Sequence, residues 1–504
     1  MKRNKKTGRI IAICLSAVLL LVGFIAFFAV KWYISVYGNI GFDSVLNTLF
    51  GDLGGVQEGI VYAYLKDGLL PGILFAAAAG MILFAQIKRH LVLYLCGKIR
   101  ICLYPFSSKI SAFLSVVLCG ALLVSAADEV GLIGYADAAA QQTTIFEDYY
   151  VDPATANITF PETKQNLIYI LLESMENTYL SKDLGGALEH NLLPELHQLA
   201  EENINFSHTD GVGGFRSIAG ATWTIGAMVS QTAGIPLKTP ASVSGNQYDT
   251  GKFLPGATTM MDLLHEQGYY QTLMVGSDAE FGGRENYYSQ HGTDYIYDLF
   301  TARRDGIVPM GYHVWWGMED LHLFEYAKEE LTKIAAKEQP FAFTMLTVDT
   351  HQVGGYVCDK CGSKYEEQYD NVISCSDRQV RDFVEWLRQQ DFYENTTIVI
   401  CGDHATMDGA YISRNVGGNY TRTMYNCIIN SKAQTEHTHY RDFAAIDMFP
   451  TMLAALGCDI EGERLGLGTN LFSDVPTLSE EMGSAFRAEL TKNSTYYLNK
   501  FHFG

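Results

Sequence analysis

Residues 166–174 read NLIYILLES, a run of strand-forming apolar residues closed by a carboxylate and a hydroxyl. A half-buried strand alternates apolar and polar positions. A continuous apolar run of this length fits a strand covered on both faces, as in a parallel sheet between helices. Two later stretches have the same form: PFAFTMLTVDTH at 340–351 and TTIVICGDH at 396–404. Helical spacing recurs between them, at Leu193–Glu202, Thr258–Gln267, Leu321–Lys337, Asp377–Gln390 and Ile446–Leu456. Further strands are expected at Tyr269–Val275 and Asn426–Asn430. This alternation predicts an α/β fold with a mainly parallel central sheet.

In such sheets ligands bind beyond the C-terminal strand ends. Glu173-Ser174, Asp349-Thr350-His351 and Gly402-Asp403-His404 all fall there. Singly, an Asp or His at a strand end caps a turn. Jointly, carboxylates and imidazoles from strands far apart in sequence suit Zn²⁺ or Mn²⁺. Glu176 and Asp349 are expected in structural helix-start or turn roles. The segment 211–236, GVGGFRSIAGATWTIGAMVSQTAGIP, is dense in small and hydroxyl residues. A hydroxyl there could serve as nucleophile beside a metal. Composition does not choose among Ser217, Thr222, Thr224 and Ser230.

Working outward, the N-terminal part has a different character. The whole chain of 504 residues is 48% apolar and only 18% charged, with a net charge of −20. That balance excludes a disordered chain and argues against a nucleic-acid binder, which needs a basic surface. Residues 1–110 carry 12 Lys/Arg against four Asp/Glu, and the remainder 24 against 52. Uncharged runs at 10–30, 68–87 and 110–127 are long enough to span a bilayer. Lys2, Arg3, Lys5, Lys6 and Arg9 precede the first, and Lys88, Arg89, Lys98, Arg100 and Lys109 lie between the second and third. The positive-inside bias places those bases in the cytoplasm and residues 128–504 outside. His90–Phe106, interrupted by Lys98 and Arg100, is expected at the membrane interface and not as a fourth span. The expected division is a membrane anchor at 1–127, a connector at 128–164, a catalytic domain at 165–475 and a tail at 476–504. Cys14, Cys96, Cys102 and Cys119 fall in or near the membrane, and Cys401, Cys427 and Cys458 in apolar runs. Cys358 and Cys361 make half a zinc knuckle with no second pair at the usual spacing. Outside the cytoplasm, a disulfide between two of Cys358, Cys361 and Cys375 is expected.

These motifs, in this order, resemble the phosphoglycerol transferase and lipoteichoic acid synthase family of the alkaline phosphatase/sulfatase superfamily. The resemblance covers roughly residues 140–475. NLIYILLESMENTY is similar to the first metal-ligand strand, with Glu173 in the ligand position. WTIGAMVSQTAGIPL is similar to the nucleophile segment, with Thr224 as the catalytic threonine and also a metal ligand. FGGRENYYSQHG resembles the segment whose arginine holds phosphate, here Arg284. LTVDTHQ resembles the strand end bearing a substrate histidine, here His351. ICGDHATM resembles the last metal pair, Asp403 and His404. INFSHTDG, SQTAGIPL, TVDTH and the cysteine-bearing stretch resemble the phosphoglycerol transferase I branch, which decorates periplasmic glucans. Gly282-Gly283 stand where lipoteichoic acid synthases have Trp-Asn before the arginine. The sulfatase signature, Cys or Ser followed by x-Pro-x-Arg, does not occur around Thr224, so sulfate-ester hydrolysis is not expected.

The resemblance implies a multi-pass enzyme of the bacterial inner membrane with a sulfatase-like extracytoplasmic domain. It implies one divalent metal, Mn²⁺ first and Zn²⁺ or Mg²⁺ as alternatives. It implies transfer of phosphoglycerol from phosphatidylglycerol to a glycan or a glycerol-phosphate polymer through a covalent threonine intermediate. Phosphoethanolamine transfer and phosphodiester or phosphate hydrolysis are the alternatives within the same superfamily.

Overall fold

The computed structural model describes residues 2–38, 41–42, 45–46, 58–88, 91–95, 99–103, 108–238 and 252–502. The chain divides into two compact units, Met1–Phe42 with Gly55–Ala136, and Asp43–Gly54 with Asp137–Gly504.

In the first unit three helices are long and apolar enough to cross a membrane: Ile10–Tyr37, Gly59–Ile82 and Lys109–Glu129. The second begins well before the uncharged run at Gly68. The helical chain continues through Lys66 and Asp67 as a π-helical segment, Tyr64–Leu69, so a charge-free window misplaces its start. Small residues let the helices close in. A Cβ on Gly72 would stand 2.9 Å from the Ile25 Cα, and one on Gly23 3.2 Å from the Cys119 Cα. Lys31 pairs with Glu129 at 2.8 Å. In the stretch expected at the interface, Leu91–Leu95 and Ile99–Leu103 pair as antiparallel strands. His90, Cys96, Lys98 and residues 104–106 lie outside the described residues.

The second unit is built on a seven-stranded sheet: β1 (Asn166–Leu172), β2 (Gly214–Phe215), β3 (Tyr270–Val275), β4 (Tyr295–Tyr297), β5 (Phe341–Leu346), β6 (Thr396–Gly402) and β7 (Met424–Ile429). The order across the sheet is β2-β7-β6-β1-β5-β3-β4. β1 lies in the middle and runs parallel to both neighbours, β6 and β5. β3 and β4 continue in parallel, while β7 and β2 close the other edge with antiparallel pairing. Every residue of β1 is buried. Leu167, Tyr169 and Leu171 enter one hydrophobic core, and Ile168, Ile170 and Leu172 the other. Each such side chain contributes about 1.5–3 kcal/mol on burial, which is why β1 tolerates no solvent face.

The helices that matter here are α1 (Pro194–Glu202), α2 (Thr224–Ala233), α3 (Met260–Glu266), α4 (Arg284–Gln290), α5 (Asp320–Ala335), α6 (Gln368–Leu387) and α7 (Met448–Ala455). α6 starts earlier than the expected Asp377, because Tyr369, Val372 and Ile373 already belong to its buried face. The connector and the tail meet in an aromatic cluster. Phe146 lies 5.2 Å from Tyr497 and 6.1 Å from Phe501, ring centre to ring centre, and Lys500 pairs with Asp152 at 2.7 Å.

Candidate active site

Register assembles the site. Leu172 pairs with Gly402 at the ends of β1 and β6, so the next residues, Glu173 and Asp403, emerge side by side. The Asp403 N–H donates to the Leu172 carbonyl at 3.1 Å. On the other flank the Thr347 N–H donates to the Leu171 carbonyl at 3.0 Å, which brings the loop carrying His351 to the same edge. Gly402 is required by a close crossing. A Cβ there would stand 1.9 Å from the Met175 carbonyl oxygen.

Glu173, Asp403 and His404 are buried, and each presents a ligand atom within 4.8 Å of the others. Asp403 Oδ1 accepts the N–H groups of Ser174, at 2.8 Å, and His404, at 2.7 Å. Asp403 Oδ2 is buried with no hydrogen-bond partner, 3.3 Å from His404 Nε2. Ser174 Oγ donates to Glu173 Oε1 at 2.7 Å, and Thr347 Oγ1 accepts the Glu173 N–H at 3.0 Å. His404 Nδ1 lies 3.0 Å from the Ala405 carbonyl. That contact assigns the proton to Nδ1 and leaves the Nε2 lone pair facing the carboxylates. Burial, reinforced by the Glu173 charge, pushes the Asp403 carboxyl up to about 7. Burial works against charge on His404, but the Asp403 and Glu173 carboxylates outweigh it and raise the imidazole above its ordinary value. Two crowded carboxylates, an orphaned oxygen and a free imidazole lone pair fit a divalent cation.

Thr224 is the first residue of α2. Its Oγ1 donates to Glu173 Oε2 at 3.4 Å and lies 3.4 Å from His404 Nε2. Among the four hydroxyls left open by composition, this one is aimed at the carboxylate–imidazole cluster. Helix N-termini favour negative charge, including that of an ionising hydroxyl or a phosphate.

Arg284 opens α4 after two glycines held at positive φ, Gly282 (+69°) and Gly283 (+77°). That left-handed pair suits glycine and turns the arginine inward, where it is 5% exposed. Its guanidinium donates to Ser277 Oγ at 2.9 Å and to the carbonyls of Phe281, at 2.9 Å, and Asp278, at 2.6 Å. Burial pulls it down to about 10, against the opposing charges of Asp278 and Glu173, so it is cationic at neutral pH. His351 Nδ1 lies 2.9 Å from the Gln352 carbonyl, which again leaves the lone pair on Nε2. The ring centre is 4.5 Å from that of Trp316. Burial lowers the His351 pKa, against the raising effect of Glu173, and keeps the ring neutral at pH 7.

The two acids expected in structural roles have them. Glu176 accepts from Arg422, from Thr178 and from the Thr406 N–H, tying the loop after β1 to the loop after β6. Asp349 accepts the Asp320 N–H at 3.1 Å, and Asp320 accepts the N–H groups of Val348 and Asp349 in return. Ser277 and Trp316 were not foreseen as parts of the site. Ser174 was already named with Glu173 at the end of its strand, whereas nothing in the spacing of the other two points to the site. The expected disulfide is not formed. Cys358, Cys361 and Cys375 are free thiols, with Cys358 Sγ 3.7 Å from each of the other two sulfurs, against about 2.05 Å for a bond.

Residues 165–458 match the model of the Sulfatase family. The chain belongs to the sulfatase family. Within it, similarity runs to phosphoglycerol transferase I of Xanthomonas campestris pv. campestris, 32% identical over 252 residues, 49% of this chain and 34% of that protein. Phosphoglycerol transferase I of Salmonella choleraesuis is 29% identical over 339 residues, 65% of this chain and 41% of that protein. The chain thus spans well under half the length of these curated relatives. The solved lipoteichoic acid synthase LtaP of Listeria monocytogenes shares the fold, with a TM-score of 0.50 at 18% identity over 63% of this chain and 79% of that one. The α/β architecture and the mainly parallel sheet are those of the sulfatase family.

Proposed function

We propose that this member of the sulfatase family transfers phosphoglycerol from phosphatidylglycerol to a glycan or glycerol-phosphate acceptor outside the cytoplasm. The observation that carries the reading is Thr224 Oγ1, at a helix N-terminus and 3.4 Å from both Glu173 and His404. The similarity to phosphoglycerol transferases I supports the head group, and the three apolar helices suit a lipid donor.

Glu173, Asp403, His404 and Thr224 would hold one divalent cation, Mn²⁺ in this reading. When bound, such a cation supplies positive charge that favours the ionised hydroxyl and screens phosphoryl oxygens. Thr224 Oγ1 attacks phosphorus and gives up its proton, which balances the one gained by the leaving oxygen. The bond from phosphorus to the glyceride oxygen breaks, that oxygen takes a proton, and diacylglycerol leaves. Arg284, already fixed by Ser277 and two carbonyls, neutralises the phosphoryl oxygens. In the second half an acceptor hydroxyl attacks, the threonine–phosphorus bond breaks, and the acceptor's proton passes by way of His351 Nε2 to Thr224 Oγ1, which restores both groups.

The test is incubation of the purified full-length chain with labelled phosphatidylglycerol. The wild type is expected to release diacylglycerol and, without acceptor, to carry a Thr224 peptide heavier by about 154 Da, one glycerophosphoryl group. Thr224→Ala is expected to abolish both, while Thr222→Ala keeps most of the release. A modified peptide centred on another residue overturns the assignment. Transfer with no modified peptide overturns the covalent route.

A further inference from the structure

The catalytic reading leaves one chemically loaded cluster unused. Cys358, Cys361 and Cys375 are 6%, 5% and 1% exposed, and all three sulfurs lie within 4.8 Å of one another. They are drawn from two elements. Cys358 and Cys361 sit on the loop that follows His351, and Cys375 sits on the buried face of α6.

We propose that Cys358, Cys361 and Cys375 bind a zinc ion that pins the loop after His351 to α6. Three observations support it. First, Cys358 Sγ is 3.7 Å from both other sulfurs. Zinc–thiolate bonds of ~2.3 Å in a tetrahedron put sulfurs about 3.8 Å apart, whereas a disulfide needs about 2.05 Å. Second, Cys358-Asp359-Lys360-Cys361-Gly362 folds as a tight turn. The Cys361 N–H donates to the Cys358 carbonyl at 3.1 Å, the backbone N–H groups of Lys360 and Cys361 face the Cys358 sulfur, and Gly362 takes φ +71° to leave the turn. Backbone N–H groups aimed at a sulfur stabilise thiolate, the ligand form. Third, the surroundings suit a site with one excess negative charge. Gln379 Nε2 donates to Cys375 Sγ at 3.5 Å. The Arg378 guanidinium is held beside the turn by the carbonyls of Lys360 and Cys361, at 3.3 and 3.4 Å. Among the described residues no fourth His, Cys, Asp or Glu joins the set. These residues are distinct from the Glu173, Asp403 and His404 set, so the proposal stands whether or not Thr224 is the nucleophile.

The test uses the full-length chain in detergent, purified without chelator and loaded with Co²⁺ in place of its native metal. A thiolate-to-cobalt charge-transfer absorption in the near ultraviolet is expected in the wild type. It is expected to persist in Asp403→Asn and to vanish in Cys361→Ser and Cys375→Ser. Zinc content is expected to fall by one ion per chain in each cysteine variant. Should those variants fail to fold, the wild type decides the matter through mercurial titration, expected to release one zinc per chain to a chromogenic chelator. Absence of that release overturns the site. So does a disulfide between any two of the three, read by peptide mapping after alkylation without reduction, and so does retention of the charge-transfer absorption in a folded cysteine variant.

Discussion

Asp403 holds its two oxygens in unlike states. Oδ1 takes two backbone N–H groups, while Oδ2 is buried beside His404 without a donor. In Asp403→Asn the amide oxygen can keep both backbone partners, so the fold should survive. The charge and the second oxygen are lost, and a ligand change of this kind weakens metal affinity by an order of magnitude or more. Metal content and phosphatidylglycerol turnover are therefore expected to fall together, by at least about tenfold. Elemental analysis beside the turnover assay checks this; a variant with full metal and wild-type turnover would remove Asp403 from the ligand set. At this scale Glu173, Asp403 and His404 were legible, since each directly follows a strand whose apolar run is unmistakable. Composition left Thr224 as one of four hydroxyls; the resemblance of WTIGAMVSQTAGIPL to the nucleophile segment singled it out, and the α2 N-terminus sets it against Glu173. Ser277 and Trp316 act through loops whose course depends on the whole topology, and a single sequence does not encode that locally.

Among the elements, α3 shows how a helix start is fastened. Thr259 and Asp262 form a reciprocal capping box, and Asp262 Oδ2 also takes His291 Nδ1 at 2.8 Å. Burial pushes the Asp262 carboxyl up, but the hydrogen bond and charge of His291 and the two bonds from Thr259 outweigh it and lower the pKa. A lowered carboxylate contributes stability that is complete above the unfolded value of about 4 and is lost as pH falls through the lower folded value. Asp262→Ala is expected to cost about 1–3 kcal/mol near neutral pH, and less in acid. Thermal unfolding of the wild type and the variant across pH checks it; an equal deficit at pH 3 and pH 7 would refute the charge contribution. The long apolar strands β1, β5 and β6 were readable because seven, six and seven buried positions in a row admit few alternatives. β2 and β4, of two and three residues, are too short to carry a period. The expected start of α6 at Asp377 fell nine residues late, since the helix begins at Gln368.

Across the whole molecule, charge and apolar helices point the same way. The basic first 110 residues contain the first two candidate spans, and the acidic remainder contains the third and the sulfatase domain. Five bases between the second and third uncharged runs predict a cytoplasmic loop. A reporter fused after Gly504 is therefore expected to be active outside the cytoplasm and one inserted near Lys98 inside. Labelling of position 98 by an impermeant reagent from outside would sink the three-span arrangement. That three helices are long and apolar enough to cross a membrane was readable from composition; the start of the second was not, because charged residues at a helix end can reach the interface and so leave the helix unbroken.

The central position of β1 also sets a timetable for synthesis. Ser174 and Asp403, joined in the finished sheet, are separated by 229 residues. At 5–20 residues per second, the ribosome takes roughly 10 to 45 s to make the partner after β1 has emerged. Until β5 is made the nascent chain displays a fully apolar strand with neither neighbour in place, and until β6 follows with only one, an invitation to mispairing that a holdase chaperone would have to suppress. Slowing translation between codons 175 and 395 should thus raise aggregation, whereas the same delay after codon 430 should not.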